Sequence, residues 1–189
     1  MTVPLTLQPL TAERWDDLER LFGPRGAYGG CWCMWWRRSR SEFEAEKGEG
    51  NRKALRALVD DGRVPGLLAY EGDQPVAWVS VAPREDYPVL GRSPVLKPLD
   101  ERPVWCIVCF FVAASHRGRG LTLRLIEAAV DHARAHGATC VEAYPTRPRG
   151  RRLPPVSSFM GLPDLFAAAG FEVAARPSDA RLIMRRELG

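Results

Sequence analysis

An apolar segment that runs through a glycine loop into a long helix constrains the fold of this chain most. Residues 104–113, "VWCIVCFFVA", are apolar throughout and rich in β-branched and aromatic side chains, which is typical of a central strand buried on both faces. The loop "ASHRGRG" follows, and an amphipathic helix is predicted from there to about His136. Its apolar face is formed by Leu123, Ile126, Val130 and Ala133. The pattern predicts an α/β protein in which a buried strand leads directly to a helix N-terminus.

The loop between this strand and this helix has the features of a phosphate site. Gly118 and Gly120 allow the backbone to turn so that successive N–H groups converge. The first N–H groups of a helix lack internal partners and carry the positive end of its dipole, and Arg117 and Arg119 add charge beside them. The two glycines, the helix N-terminus and the two arginines together indicate a pyrophosphate site. "RGRGLT" is neither G-x-G-x-x-G nor a P-loop, so those two nucleotide-binding motifs are not matched.

The rest of the pattern predicts a single domain over residues 1–189, with no internal repeat and no linker. Before the buried strand, the predicted elements are a strand at Leu5–Leu10, helices at Ala12–Phe22 and Asn51–Asp61, a hairpin at 66–83 and a long loop at 84–103. After the long helix they are a strand at 139–145, a short helix at Pro163–Ala169, and strands at Phe171–Ala175 and Leu182–Arg186.

The segment "VAASHRGRGLT" followed by "LRLIEAAV" resembles motif A of the GNAT superfamily of N-acetyltransferases. The signature R/Q-x-x-G-x-G/A is met at Arg117 and Gly120, whereas Thr122 stands where the family prefers glycine or alanine. The ending "LFAAAGFEVAAR" and the order of the predicted elements also resemble this family. The alternative is a glycine turn that only joins a strand to a helix.

The resemblance implies a mixed, mostly antiparallel central sheet flanked by helices and splayed at the acyl-CoA site. It implies acetyl-CoA, or another acyl-CoA, as co-substrate and an amine as acceptor. The pantetheine arm would pair with the backbone of Phe110, Phe111 and Val112. The pyrophosphate would bind at Arg117, Gly118, Arg119, Gly120, Leu121 and Thr122.

The catalytic groups are harder to assign. Acyl transfer needs a neutral amine, and a lysine-like amine has a pKa of about 10.4, so a base or desolvation must help. The departing thiolate benefits from an acid. The family often uses a tyrosine in its last helix, but Phe166 occupies that position here. Tyr144 and Glu142, in the strand after the long helix, are the nearest candidates, and the alternative for both is an ordinary strand residue. A domain that binds acyl-CoA without transferring the acyl group therefore remains the second functional hypothesis.

The segment "GGCWCMWWRR", residues 29–38, could form a metal site, a redox pair at Cys31 and Cys33, a membrane-facing patch or the wall of a substrate pocket. Its position between the first helix and the hairpin corresponds to the acceptor side of a GNAT cleft. Trp32, Trp35 and Trp36 are therefore predicted to wall the acceptor site, and the alternative is that all three belong to the core. An aromatic wall favours an acceptor that carries a ring, an aliphatic chain or a cation.

No metal site is predicted from the cysteines. Cys31 and Cys33 could join Cys106 and Cys109 as four zinc ligands, but residues three apart in a strand face opposite sides. Buried, apolar cysteines are favoured instead. His116, beside the glycine loop, is predicted to be a solvated loop residue, and the alternative is a contact with coenzyme A.

Composition sets the broad class of protein. The net charge of +4 and the five cysteines, with no basic leader and no apolar run long enough to span a bilayer, predict a reduced cytoplasmic protein without a membrane partner. The basic loop at 147–152 could attract an anion or be merely solvated, and the overall basicity is too low for a dedicated nucleic-acid binder. The sequence leaves a homodimer open.

Overall fold

One seven-stranded sheet organises the residues that the structure describes, which are 4–148, 150 and 157–189 in a computed structural model of the chain. The strands are β1 Leu5–Pro9, β2 Gly66–Glu71, β3 Gln74–Pro83, β4 Trp105–Val112, β5 Cys140–Ala143, β6 Glu172–Ser178 and β7 Arg181–Glu187. Their order is β1-β2-β3-β4-β5-β7-β6, and every neighbouring pair is antiparallel except β4 and β5. The predicted mixed, mostly antiparallel sheet is confirmed.

Helices cover both faces of this sheet. Those in the described residues are α1 Trp15–Phe22, α2 Arg40–Ala45, α3 Glu49–Asp60, α4 Pro88–Arg92, α5 Leu121–Ala135 and α6 Pro163–Ala168. The long amphipathic helix is α5, which buries its apolar side and is followed by Gly137 in the left-handed region, with φ +82°. Within the described residues, no helix has the length and apolar character needed to cross a bilayer.

Three helices differ from the sequence prediction. The helix predicted to start at Asn51 begins at Glu49, so Asn51 lies fully buried inside α3, where its amide donates to the carbonyl oxygens of Gly30 (3.2 Å) and Phe43 (3.5 Å). The charged stretch before α3 contains α2, which begins with a capping box between Ser39 and Glu42. The predicted loop 84–103 contains the short helix α4.

Buried side chains form three clusters, and alternation along the strands separates them. The first packs α5 and α6 on one face of the sheet and includes Ala69 and Ile107. The second packs α1, α3 and the tryptophan-rich segment on the other face, where Leu68 lies. The third shares that other face around β4, β5 and β7, and includes Cys106. Helix α5 is thus held firmly against the strands that precede it.

The sheet opens between β4 and β5. These parallel strands pair only over residues 105–107 and 141–143, although β4 continues to Val112. On its other side, β4 pairs Cys109 with Ser80 but Ile107 with Val81, so it carries one extra residue. Such a bulge bends a strand and increases its twist. The result is a V-shaped opening whose wide end leads to the glycine loop, as the resemblance implied.

Candidate functional site

The glycine loop has the backbone that a phosphate site requires. Gly118 and Gly120 have φ of +76° and +74°, in the left-handed region that favours glycine. A Cβ atom at either position would meet no described atom within 4 Å, so open space adjoins both. Gly120 is the N-cap of α5, and in this fully described helix no side chain caps the first turn and none there is acidic. The helix N-terminus is therefore free to attract an anion.

A carboxylate at the end of β2 fixes this loop in place. The Nε2 atom of His116 lies 3.1 Å from Oε2 of Glu71, and its Nδ1 atom lies 2.8 Å from Oγ of Ser115. Arg119 reaches the other oxygen of Glu71 at 3.6 Å. The prediction that His116 is solvated is wrong, because its side chain packs under the loop and the residue is only 6% exposed. Arg119 is more than half exposed and lies at the mouth of the loop.

The edge of β4 that faces the opening is formed by alternate residues. Ala113 donates its N–H to Val76 of β3 at 2.9 Å, so the backbone groups of Phe111 point to β3 and those of Phe110 and Val112 point to the opening. We therefore limit the proposed pantetheine contacts to Phe110 and Val112. Both groups have partners here: the Phe110 N–H donates to the carbonyl oxygen of Phe159 at 2.7 Å, and the Val112 carbonyl accepts from Nε of Arg117 at 3.0 Å.

The two residues predicted to be catalytic belong to a buried ionic network. Glu142 is fully buried, and its Oε1 atom accepts from Arg84 at 2.7 Å and from the Tyr144 hydroxyl at 2.5 Å. Its Oε2 atom accepts from Nε of Arg185 at 2.7 Å. Arg185 also forms a two-pronged pair with Asp100, at 2.5 and 3.2 Å, and these hydrogen bonds lower the pKa of Asp100 to about 2. Glu142 and Tyr144 do share one side of β5.

This network is better suited to holding elements together than to exchanging protons. Burial, together with the nearby Cys106 and Glu142, raises the pKa of Tyr144 well above its usual value. Arg84 further donates to the carbonyl oxygen of Leu96, so the network joins the end of β3 and the segment before β4 to the middle of the sheet. The catalytic role of Tyr144 and Glu142 stays a prediction.

Phe166 lies where the family often has its tyrosine, and it packs deep in the first cluster. It is fully buried, with ring centroids 6.0 Å from Phe110 and 5.1 Å from Phe171. Its ring contributes packing to the floor of the opening and has no hydroxyl to donate.

The three tryptophans of residues 29–38 differ in burial. Trp32 is buried in the second cluster, stacked on Trp15 with centroids 6.1 Å apart, so we remove it from the proposed acceptor wall. Its φ of +43° turns the chain sharply, and its ring fills the space beside Gly26. Trp35 and Trp36 are half-buried and meet edge to face at 6.5 Å.

The two half-buried tryptophans lie beside different clusters. Trp36 packs on the third cluster, which also borders Cys109 and Phe159. Trp35 packs on Phe43 at 5.1 Å. The wall proposed for the acceptor therefore bridges the second and third clusters next to β4.

The cysteines do not form a four-ligand site. Cys106 lies in the third cluster, where burial raises its pKa to about 12. Cys33 is buried beside Cys109, and the indole N–H of Trp78 donates to its sulfur at 3.1 Å. Interaction with Cys109 lowers the pKa of Cys33, and the same interaction raises that of Cys109. Among the described residues no group of three or more histidine, cysteine or acidic side chains could hold a metal ion.

Half of the predicted basic loop at 147–152 lies outside the described residues. Arg149, Arg151 and Arg152 are not described, whereas Arg147 donates to the backbone carbonyl of Asp179 at 3.4 Å.

The contact of Glu71 with His116 and the contact of Phe159 with Phe110 were not predicted from the sequence. Glycine in "SFMGLPD" was the one local signal near Phe159, since Gly161 has φ +86° and no room for a side chain.

Comparison with known proteins agrees with this geometry. The profile of the acetyltransferase (GNAT) family matches residues 32–152. The chain belongs to this family, and acetyl-CoA is accordingly its expected co-substrate. No curated protein matches the sequence significantly.

Solved structures share the fold at low sequence identity. A polyamine N-acetyltransferase from Drosophila melanogaster is 13% identical with a TM-score of 0.60, covering 98% of this chain and 100% of that one. A GNAT-family acetyltransferase from Streptococcus agalactiae is 14% identical with a TM-score of 0.58, covering 98% and 96%. The PaiA N-acetyltransferase from Thermoplasma acidophilum, solved in complex with coenzyme A, is 12% identical with a TM-score of 0.55, covering 98% and 99%.

The glycine loop can be tested with a matched pair of variants. Gly120→Asp is expected to weaken acetyl-CoA binding by about tenfold or more, because a carboxylate at the helix N-terminus would repel the phosphates. Gly137→Asp is the control: Gly137 also has a positive φ and open space, but it follows the other end of α5. Titration calorimetry gives both dissociation constants. Equal losses in the two variants would show that the phosphates do not bind at the start of α5.

The ionic network predicts a large difference between two glutamates. Glu142→Gln is expected to lower the free energy of unfolding by about 3–5 kcal/mol, because Arg84 and Arg185 would lose a buried charged partner. Glu187→Gln, at an exposed ion pair with Arg102, should cost at most about 1 kcal/mol. Urea unfolding measures both. A Glu142→Gln protein that is as stable as wild type but slow in turnover, with an altered pH profile, would favour the catalytic role instead.

Proposed function

We propose that this protein transfers an acetyl group from acetyl-CoA to the amine of a small molecule or peptide. The observation that carries the proposal is the opening between β4 and β5, which leads to two left-handed glycines and an uncapped helix N-terminus. An extended amide chain can pair with the edge of β4 that β5 leaves uncovered, and a pyrophosphate fits the converging N–H groups. The open space at Gly118 and Gly120 agrees with this use.

Each part of the site then has a task. The backbone groups of Phe110 and Val112 align the pantetheine amides along β4. The pyrophosphate binds at residues 117–122, where the backbone N–H groups converge, and the exposed side chain of Arg119 adds positive charge. When bound, acetyl-CoA supplies the activated thioester. A backbone N–H on the splayed strand is the donor that this family usually directs at the developing oxyanion.

The acceptor enters from the side of the sheet that carries Trp35 and Trp36. Their rings contribute apolar contact area and an electron-rich face for an amine-bearing ligand. The amine must be neutral when it attacks, and removal from water beside these rings favours the neutral form. Attack of the amine nitrogen on the thioester carbon forms the C–N bond and breaks the C–S bond. The nitrogen releases one proton to solvent, and coenzyme A leaves as the thiolate.

The second candidate function is acyl-CoA binding without transfer. Two observations favour this function. Phe166 cannot donate a proton, and the Glu142 carboxylate already accepts hydrogen bonds from two arginines. Binding and turnover separate the two functions. A thiol-release assay over a panel of amines detects transfer, whereas calorimetry with acetyl-CoA detects binding alone. Tight binding with no thiol release above the hydrolysis background for any amine would favour the binding module.

Acetyl-CoA should stabilise the folded protein. At a concentration 100-fold above the dissociation constant, linkage gives about 2.7 kcal/mol, which is a rise in melting temperature of about 5–10 °C for a chain of this size. Thermal shift with acetyl-CoA, coenzyme A and, as a control, pantetheine without the nucleotide measures the effect. An unchanged melting temperature with millimolar acetyl-CoA or coenzyme A would contradict the proposal.

Two tryptophan variants test the acceptor wall. Trp35→Ala is expected to raise the KM for the amine while leaving the acetyl-CoA dissociation constant nearly unchanged, because Trp35 lies apart from the phosphate loop. Trp32→Ala is the matched control for the core, and it should lower the free energy of unfolding by about 3–5 kcal/mol. Melting temperature, acetyl-CoA affinity and amine kinetics are measured on each variant. A Trp35→Ala protein with a large loss of stability and unchanged kinetics per folded molecule would return Trp35 to the core.

A further inference from the structure

A short segment of the chain bridges the opening between β4 and β5. We name residues 157–161, "SSFMG", the strap. On one side, the carbonyl oxygen of Phe159 accepts the N–H of Phe110 from β4 at 2.7 Å. On the other side, the carbonyl oxygen of Gly161 accepts the N–H of Thr146, three residues after the end of β5, at 3.2 Å. The strap thus links the two sides of the opening through backbone hydrogen bonds.

Side chains of the strap anchor it in the third hydrophobic cluster. Met160 is 0% exposed and lies in the third cluster, where its sulfur accepts from Arg181 at 3.2 Å. Phe159 packs against the same cluster. Buried contacts of this kind hold a segment in one position more firmly than two hydrogen bonds alone.

The last residue of the strap fits only as glycine. A Cβ atom at Gly161 would lie 2.6 Å from the ring of Phe166 and 3.1 Å from the ring of Phe110. Its φ of +86° adds backbone strain for any other residue. Gly161 also donates its N–H to the carbonyl oxygen of Ser158 at 2.8 Å, which closes a tight turn. The strap is therefore packed directly against Phe110, the residue whose N–H it accepts.

We propose that the strap and the pantetheine arm of acyl-CoA compete for the edge of β4, so that the ligand-free protein is autoinhibited. This inference rests on the proposed acyl-CoA site. The N–H of Phe110 is a single donor, and a strand edge pairs with one extended partner at a time. With the strap in place, that donor is directed at the carbonyl oxygen of Phe159. Binding therefore requires the strap to leave β4.

Competition has a quantitative consequence. The apparent dissociation constant of acyl-CoA equals the intrinsic constant divided by the fraction of molecules with the strap released. A substitution that weakens the strap raises this fraction and so tightens binding, although it removes native contacts. A substitution that only destabilises the fold does not lower the dissociation constant of acyl-CoA. A lower constant in a strap variant is therefore specific evidence for competition.

The test compares two fully buried residues of the third cluster. Met160→Ala removes the anchor of the strap, whereas Leu90→Ala removes a side chain of similar size from α4. Calorimetry with acetyl-CoA on the full chain is expected to show binding at least about threefold tighter for Met160→Ala and unchanged for Leu90→Ala. Hydrogen exchange without ligand should show faster exchange of the Phe110 amide in Met160→Ala alone. Phe159→Ala serves as a second strap variant if Met160→Ala does not fold.

The outcomes distinguish the strap from the proposed function. If wild type binds acetyl-CoA and the folded strap variants bind it equally or more weakly, the competition is rejected and the acyl-CoA site stands. If the Phe110 amide exchanges at the wild-type rate in the strap variants, the contact with Phe159 does not hold the strap, and the inference is likewise rejected. If neither wild type nor the strap variants bind acetyl-CoA, the proposed function fails and the competition fails with it.

Discussion

The parallel pairing of β4 with β5 over only three residues is the constraint on which the rest of the structure depends. Trp105, Cys106 and Ile107 keep the two strands together, and beyond them β4 bends away at its bulge. A longer pairing would close the sheet and commit the edge of β4 beside the glycine loop to β5. A shorter one would leave β7 and β6 attached to the rest of the sheet by almost no backbone hydrogen bonds. The opening is therefore possible only because other contacts reinforce this short junction.

The ionic network supplies that reinforcement at the junction itself. Glu142 is the β5 partner of Cys106 and of Arg185 in β7, so its carboxylate lies at the point where the two halves of the sheet meet. Its two arginines extend to the end of β3 and to Asp100. A buried charge of this kind stabilises the fold only while its partners remain, and it fixes the geometry of what it joins. Such a position explains why a carboxylate close to the cleft is so fully occupied by other side chains.

Local patterns predicted the frame of the protein well. The apolar run at 104–113, the two glycines and the spacing of Leu123, Ile126 and Val130 specify β4, the loop and α5, because each depends on neighbours within a few residues. The hairpin of β2 and β3 was predicted for the same reason. The capping box of α2 was also present in the sequence, but its short, charged helix has little apolar periodicity to reveal it.

Contacts between distant residues were beyond such patterns. His116 looks like a loop residue in the sequence, and only its distance to Glu71, 45 residues earlier, explains its burial. Trp32 and Trp35 are three residues apart and chemically alike, yet the ring of Trp32, where φ is positive, lies buried on Trp15, whereas Trp35 is half-buried against Phe43. The pairing of Phe110 with Phe159 likewise depends on chain geometry that no local motif encodes.

The glycines of the site are required for two different physical reasons. Gly118 and Gly120 face open space, so a side chain there meets backbone strain but no neighbour, whereas Gly161 is enclosed by the rings of Phe110 and Phe166. In a library selected only for folded protein, position 161 should tolerate the fewest residues, and positions 118 and 120 should tolerate more. Selection for catalysis would add pressure at the loop. Comparing the residues tolerated in the two selections would separate positions constrained by ligand binding from positions constrained by packing within the protein.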